Sequence, residues 1–313
     1  MKGRRRSFVS RVKVFDLFRL RRSILRFFRS HPAFRIAATL SPSAFWLLLF
    51  TLIPIGIVIY YSFLTRGPWG TIVYEFTLDS YRQILDPLFL KIFVRSFKLA
   101  ALTVVICLAA GYMIAYWIAF YGGRRKNLLL FLVILPFWTS YLVRIYAWMT
   151  LLSDHGLINN FLIQLHLIDT PLLLLHTQYA VLVGLVYTYL PFMILPLYAA
   201  LERLDRSVLE AAADLGATAT ERFFKVTVPL TKGGILSGSV LVFAPSLGEF
   251  LVPELLGGAK AMMIGKFIAL KFLGLRHWPL GSAFSLLLLT LILILLFLYM
   301  RVGGGKEAFR EQR

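Results

Sequence analysis

One cysteine, five histidines and fifteen acidic residues are sparse for a chain of 313 residues. The single Cys107 lies inside an apolar run, so an intrachain disulfide is excluded. His31, His155, His166, His176 and His277 show no H-E-x-x-H or comparable spacing, so no zinc or other metal centre is expected. A P-loop is also missing. Gly265-Lys266 is preceded by Lys260 where its first glycine is needed, and is followed by Phe267 rather than Ser or Thr. No cofactor is expected on this chain, and any ATP must be handled by another one. Acids are outnumbered by 34 Lys and Arg, giving a net charge of +19. Nucleic acid is not the expected partner, because 59% of the residues are hydrophobic. That share points to a membrane protein whose basic residues meet anionic lipid and set topology.

What is abundant is long apolar sequence. Six runs approach the ~20 residues that a helix needs to cross a ~30 Å hydrocarbon core. They lie near 44–64, 98–120, 128–151, 178–201, 235–256 and 282–301. The fifth is interrupted by Pro245, Gly248, Glu249 and Pro253. An all-α membrane protein with six transmembrane helices is expected. Residues 1–42 hold twelve Lys or Arg and one acid, Asp16. There Phe8, Val12, Phe15 and then Leu20, Ile24, Phe28 recur at helical spacing, which predicts a basic amphipathic arm on the lipid surface. A cleavable signal peptide is not expected, because the apolar segment begins only near Ala44. The expected organisation is the arm 1–42, a membrane domain 43–301 and a tail 302–313. Segment 65–97 predicts a surface helix near 79–95. Segment 153–177 predicts two interfacial pieces, 161–168 and 171–175.

With the N-terminus inside, the inner segments hold 24 Lys and Arg and the outer segments nine. This puts both termini and the insert 205–230 in the cytoplasm. The last outer segment, with Lys260, Lys266, Lys271 and Arg276, is more basic than that rule favours.

The insert reads DRSVLEAAADLGATATERFFKVTVPL. Ser207 with Glu210, and Thr218 with Glu221, have capping-box spacing and predict two short helices. Gly216 is placed to end the first. Pro229 is placed to stop the second. Ala211, Ala212 and Ala213 leave one face bare for close approach.

Two apolar runs carry unusual residues. Arg144, in the third, costs roughly 2.5–3.5 kcal/mol at a span centre. Counting from Leu128 as one straight helix puts it ~24 Å up the span. Snorkelling, pairing with Glu249 or Asp154, and ligand contact are its alternatives. Trp138, Tyr141, Tyr146 and Trp148 beside it are interfacial aromatics or walls of a cage for an organic cation. In the fifth run Glu249 and Glu254 fall ~21 Å and ~28 Å from Ile235. Ionisable residues at such depth are candidate path residues. Pro245 and Pro253 free backbone carbonyls that could line a water-filled path.

The insert resembles the coupling loop of ABC importer permeases. Glu210-Ala211-Ala212, Asp214-Leu215, Gly216 and Val226-Thr227-Val228-Pro229 stand for E-A-A, three residues, G, nine residues and I-x-L-P. Arg144 to Trp148 after Pro136-Phe137-Trp138, and Pro245 to Phe250 with Pro253 to Gly258, resemble spermidine/putrescine permeases over most of 43–301. The resemblance implies a type I importer permease, multi-pass in a bacterial inner membrane. It implies coupling through Glu210, Ala211, Ala212, Asp214, Leu215, Gly216 and Pro229. It also implies a path using Glu249, Glu254, Tyr141, Tyr146, Trp138 and Arg144. Its expected partners are an ATP-binding subunit dimer that carries ATP and Mg, a second permease and a periplasmic solute-binding protein. The same machine for an opine, an amino-acid derivative or an iron chelate is an alternative, and Arg144 in the path favours an anionic or zwitterionic ligand. A membrane enzyme would need a nucleophile, metal or base constellation that the sequence does not offer.

Overall fold

The computed structural model describes residues 32–259 and 261–301. Residues 1–31 of the arm expected at 1–42, and the tail 302–313, lie outside the described residues, while 32–42 belong to the first helix. The chain forms two compact units, residues 1–58 and 59–313. The described part of the first belongs to α1 (Pro32–Ser62), which carries Pro42 and Pro54. This helix starts at Pro32, well before the expected 44. Proline is at home in a first helical turn, where its absent N–H is not needed.

The second unit opens with a small antiparallel hairpin, β1 (Thr65–Arg66) and β2 (Ile72–Val73), pairing Thr65 with Val73. The surface helix expected at 79–95 divides in two. α2 (Asp79–Ile84) is separate, and α3 (Pro87–Tyr121) runs straight into the second span. The reason is local. Asp86 accepts the N–H of Leu88 at 2.8 Å, and Pro87 holds the first helical position, so the helix is capped there. Lys91, Arg95 and Lys98 conceal this start from a hydropathy reading.

The third apolar run is broken in two. α4 (Lys126–Ile134) ends in a 3₁₀ turn, Leu135–Trp138, and α5 (Tyr141–Leu152) follows. The two halves meet at 90°. Pro136 cannot donate an N–H, and Thr139 is extended with its hydroxyl donating to the Pro136 carbonyl at 2.7 Å. The straight-helix height for Arg144 therefore does not hold. Beyond α5, α6 (Leu157–Gln164) is held by buried Asn159, which exchanges hydrogen bonds with the Leu172 backbone.

α7 (Gln178–Glu202) is the fourth span, and the helix after the insert, α11 (Lys232–Gly248), forms most of the fifth. α3, α7 and α11 enclose the main core, in which Cys107, Ala115, Leu185, Met193, Leu197 and Val242 are fully buried. α14 (Trp278–Tyr299) is the last span. Near its start Phe89, Phe267 and Phe284 pack in a triangle with centroids 4.8–5.2 Å apart. Among the described residues four helices are long and apolar enough to cross a membrane, and the number rises to the expected six if each of two bent pairs counts as one span.

Candidate functional site

Two features separate this bundle from a plain set of spans. One is the polar insert. The other is a carboxylate at a helix break.

The insert begins with α8 (Arg206–Asp214). Its cap is Asp205, whose Oδ1 accepts the Ser207 N–H at 3.0 Å. The Ser207–Glu210 box does not form, because Ser207 already lies inside the first turn. The hydrogen bonds from Ser207 hold the Asp205 carboxyl below its usual range. At the other end Gly216 adopts φ +86°, as expected of a helix-ending glycine. Its N–H donates to Ala213 at 2.9 Å and the Ala217 N–H to Ala212 at 3.0 Å, which is the Schellman pattern.

The second capping box does form. Thr218 Oγ1 accepts the Glu221 N–H at 3.3 Å, and Glu221 Oε2 accepts the Thr218 N–H at 3.0 Å. Pro229, however, does not stop this helix. α9 (Ala219–Glu221) continues through a π-helical stretch, Arg222–Thr227, into α10 (Val228–Leu230). The wide π turn accommodates the missing proline N–H. The direction changes after it, and the insert's second helix, Ala219–Leu230, meets α11 at 67° across Thr231.

α3 holds the insert in place. Phe223 packs edge-on against Tyr112 at 5.3 Å and Tyr116 at 5.7 Å. The Tyr112 hydroxyl shares a buried hydrogen bond of 2.8 Å with Thr231 Oγ1. Arg206 lies over the Phe120 ring at 5.6 Å. The opposite face is bare. Glu210, Ala211, Asp214, Leu215 and Gly216 are exposed, and Ala212 is half-buried. Leu215 is 89% exposed, a large apolar side chain presented at the tip.

α11 leads from the insert to the break. It ends at Glu249, whose backbone is extended, and the short α12 (Leu251–Leu255) starts afresh. Glu254 therefore sits on a separate helix, and its straight-line height does not apply. Glu249 Oε1 accepts the N–H groups of Phe250 at 3.0 Å and Leu251 at 2.9 Å, capping the new helix. Oε2 accepts the hydroxyls of Tyr141 on α5 and Tyr189 on α7, each at 2.7 Å. Three elements thus converge on one carboxylate. A fourth, α13 (Ile264–Ala269), approaches so closely that a Cβ on Gly265 would collide with the Gly248 carbonyl oxygen.

Arg144 pairs with neither Glu249 nor Asp154. Its guanidinium lies over Phe137 at 5.2 Å and Tyr141 at 5.6 Å, and its buried Nε has no acceptor. The bend at 138–141 turns it away from the height expected, and tyrosine hydroxyls occupy the Glu249 oxygen instead. The aromatics do not close a cage within this chain. Trp138 is 74% exposed against Phe131, Tyr146 is 49% exposed, and Trp148 meets Tyr187 edge-on at 5.5 Å. Of the four, only Tyr141 reaches the carboxylate.

Two residues were not singled out in the sequence. Tyr189 is one. Its signal was a hydroxyl in an apolar run, which needs a partner when buried. Lys266 is the other, named there only in the rejected P-loop match and as an outer cation. It is 8% exposed and donates to the Gly258 carbonyl at 2.7 Å, while lying 3.0 Å from Glu254. It thereby fastens the loop after α12. Lys266→Met should lower the thermal stability of the solubilised protein by about 1–3 kcal/mol, the cost of orphaned buried acceptors. Glu254→Gln should cost about 0–1 kcal/mol, because that partner is largely in solvent. Equal losses in a thermal unfolding assay would contradict this division.

Residues 108–303 match the family described as binding-protein-dependent transport system inner membrane component. The chain is 43% identical over 256 residues to the spermidine/putrescine transport system permease protein PotB of Escherichia coli K12, covering 82% of this chain and 93% of that protein. It is 44% identical over 256 residues to the protein of the same name from Haemophilus influenzae, with 82% and 90% covered. The fold resembles a chain of a bacterial alginate ABC transporter solved with an alginate pentasaccharide-bound periplasmic protein. There the TM-score is 0.72 at 19% identity, with 90% of this chain and 99% of that chain covered. By the matched residues and the identity over most of its length, the chain belongs to the binding-protein-dependent transport system inner membrane components: it is a permease subunit of an ABC importer.

Proposed function

We propose that this permease carries polyamines of the spermidine/putrescine class, with Glu249 as the anionic seat on the path. The observation that carries the reading is the Glu249 carboxylate at the break between α11 and α12, with two tyrosine hydroxyls on it. A carboxylate rimmed by phenols suits an alkylammonium, which supplies N–H donors and a charge that aromatic faces attract. The names of the PotB relatives support the same class.

In this reading the insert 205–230 engages an ATP-binding subunit through Glu210, Ala211, Ala212, Asp214, Leu215 and Gly216. ATP and Mg stay on that partner. Pro229 acts by sitting in the bent turn that leads into α11. The insert side is cytoplasmic, with both termini. A second permease supplies the remaining wall of the path, since Glu249 is only half-buried and Phe250 is 46% exposed. A periplasmic binding protein delivers solute from the opposite side, and Tyr141, Tyr146, Trp138, Arg144 and Glu254 lie along its route. Residues 1–42, 43–301 and 302–313 serve as arm, membrane domain and tail.

The test is ATPase activity of the reconstituted complex with its binding protein, with and without spermidine or putrescine. Stimulation is expected. A competent complex that polyamines leave unstimulated would overturn the substrate class. One observation favours a second reading: the buried Arg144 Nε lacks an acceptor, which a carboxylate-bearing zwitterionic solute would provide. Stimulation by such a solute and not by polyamine would select it.

A further inference from the structure

The basic outer segment, unusual for that side, is gathered by the fold into one cluster. Arg66 Nη2 donates to the Leu275 carbonyl at 2.9 Å, drawing the hairpin onto the turn before α14. In that turn the His277 N–H donates to the Lys271 carbonyl at 2.8 Å. Arg276, at φ +48°, lies against Gly70, where an added Cβ would come within 2.8 Å of its own. Among the described residues, none of these four side chains is in an ion pair with a carboxylate. His277 Nδ1 accepts the Leu280 N–H at 3.3 Å, which leaves Nε2 as its donor. Burial first, then the charges of Arg66 and Lys271, lower the His277 pKa, so the imidazole is a neutral donor in a positive field.

The position of the cluster identifies its ligand. Arg66 follows the end of α1 at Ser62, and His277 immediately precedes α14 at Trp278. Tyr61 and Trp278, at those two span ends, meet edge-on at 6.3 Å. The cluster therefore lies at headgroup level, on the side of the membrane opposite the insert. Its surroundings are apolar and exposed: Trp69 at 97%, Leu273 at 80% and Leu275 at 45%. Charge at the centre with tryptophan and leucine around it suits an amphiphile better than a water-soluble acidic surface. We infer that Arg66, Lys271, Arg276 and His277 bind the phosphate of an anionic phospholipid in the leaflet facing away from the insert.

The test uses the assembled transporter in phosphatidylcholine nanodiscs doped with phosphatidylglycerol, with retained lipid counted by native mass spectrometry. Lys271→Gln and Arg66→Gln should each lower phosphatidylglycerol retention about fivefold, since one basic residue near such a surface contributes about that factor. Arg66→Lys should keep most of it, which separates charge from the hairpin contact. Lys91→Gln, a cation on the same side in α3, should change nothing. Undiminished retention in both glutamine variants overturns the site. So does displacement by inorganic phosphate as effective as by lipid, which would make it a free-anion site. Unchanged lipid with weakened docking of the periplasmic binding protein overturns it in favour of a protein contact.

Discussion

Glu249→Gln is expected to abolish most uptake of a cationic solute while leaving the complex assembled. Glutamine keeps one carbonyl oxygen, which can take the place of Oε1 and accept the N–H groups of Phe250 and Leu251, so the break can stay capped. Its NH2 group then takes the place of Oε2 and donates to the Tyr141 and Tyr189 hydroxyl oxygens, so the variant loses the charge and one acceptor but leaves no group unpaired. A hydrogen bond to a charged group contributes about 1.5–3 kcal/mol, so uptake should fall roughly 10- to 150-fold. Glu249→Ala should behave differently. It leaves two phenols and two backbone donors without an acceptor, each costing about 1–3 kcal/mol, so assembly itself should fail. Uptake into proteoliposomes, measured beside co-purification of the partner subunits, separates the two results. If the glutamine variant loses assembly and uptake in parallel, Glu249 is a structural cap and not a seat.

The second large effect concerns Gly216. At φ +86° a Cβ meets no neighbour within 4 Å, so crowding is no obstacle; the backbone conformation itself is. An L-residue in that region costs about 1–2 kcal/mol, which shifts the helix end by roughly five- to thirtyfold. Gly216→Ala should therefore weaken solute-stimulated ATPase by about that factor. Gly216→Pro should abolish it, because proline fixes φ near −65° and removes the N–H bonded to Ala213. Ala212→Arg should do the same by covering the bare face. All three should insert into the membrane at normal levels, since this end of α8 faces solvent. Unimpaired stimulation in Gly216→Pro would remove the insert from the coupling route.

What the sequence made legible was local. Gly216 ends its helix and Thr218 with Glu221 caps the next, because both depend on residues within one turn. Glu249 stood out for the same reason: a carboxylate between prolines in apolar sequence marks a break whose backbone needs a partner. The misreadings have local causes too, in competition. Asp205 outranks Ser207 as a cap by lying ahead of it, and the Asp86-Pro87 cap extends α3 through charges that hydropathy counts against a span. The remaining misses are tertiary. Nothing near Tyr189 in the chain names Glu249 as its acceptor, sixty residues away. Lys266 reads as a surface cation until α12 folds back to offer it carbonyls. The 90° bend at 138–141 is set by one proline and an extended threonine, and hydropathy averages across both.

The broken fifth span also has an electrical meaning. A charge crossing a membrane potential of 100 mV does work of about 2.3 kcal/mol. On the proposed path, Glu249 is one carboxylate that stays in the protein while the solute moves. It offsets a solute charge only while the two are paired. The work the potential does over a complete passage is set by the solute's own charge, about 2.3 kcal/mol per ammonium group at 100 mV. A seat at the break therefore divides that work between entry and exit without changing its total.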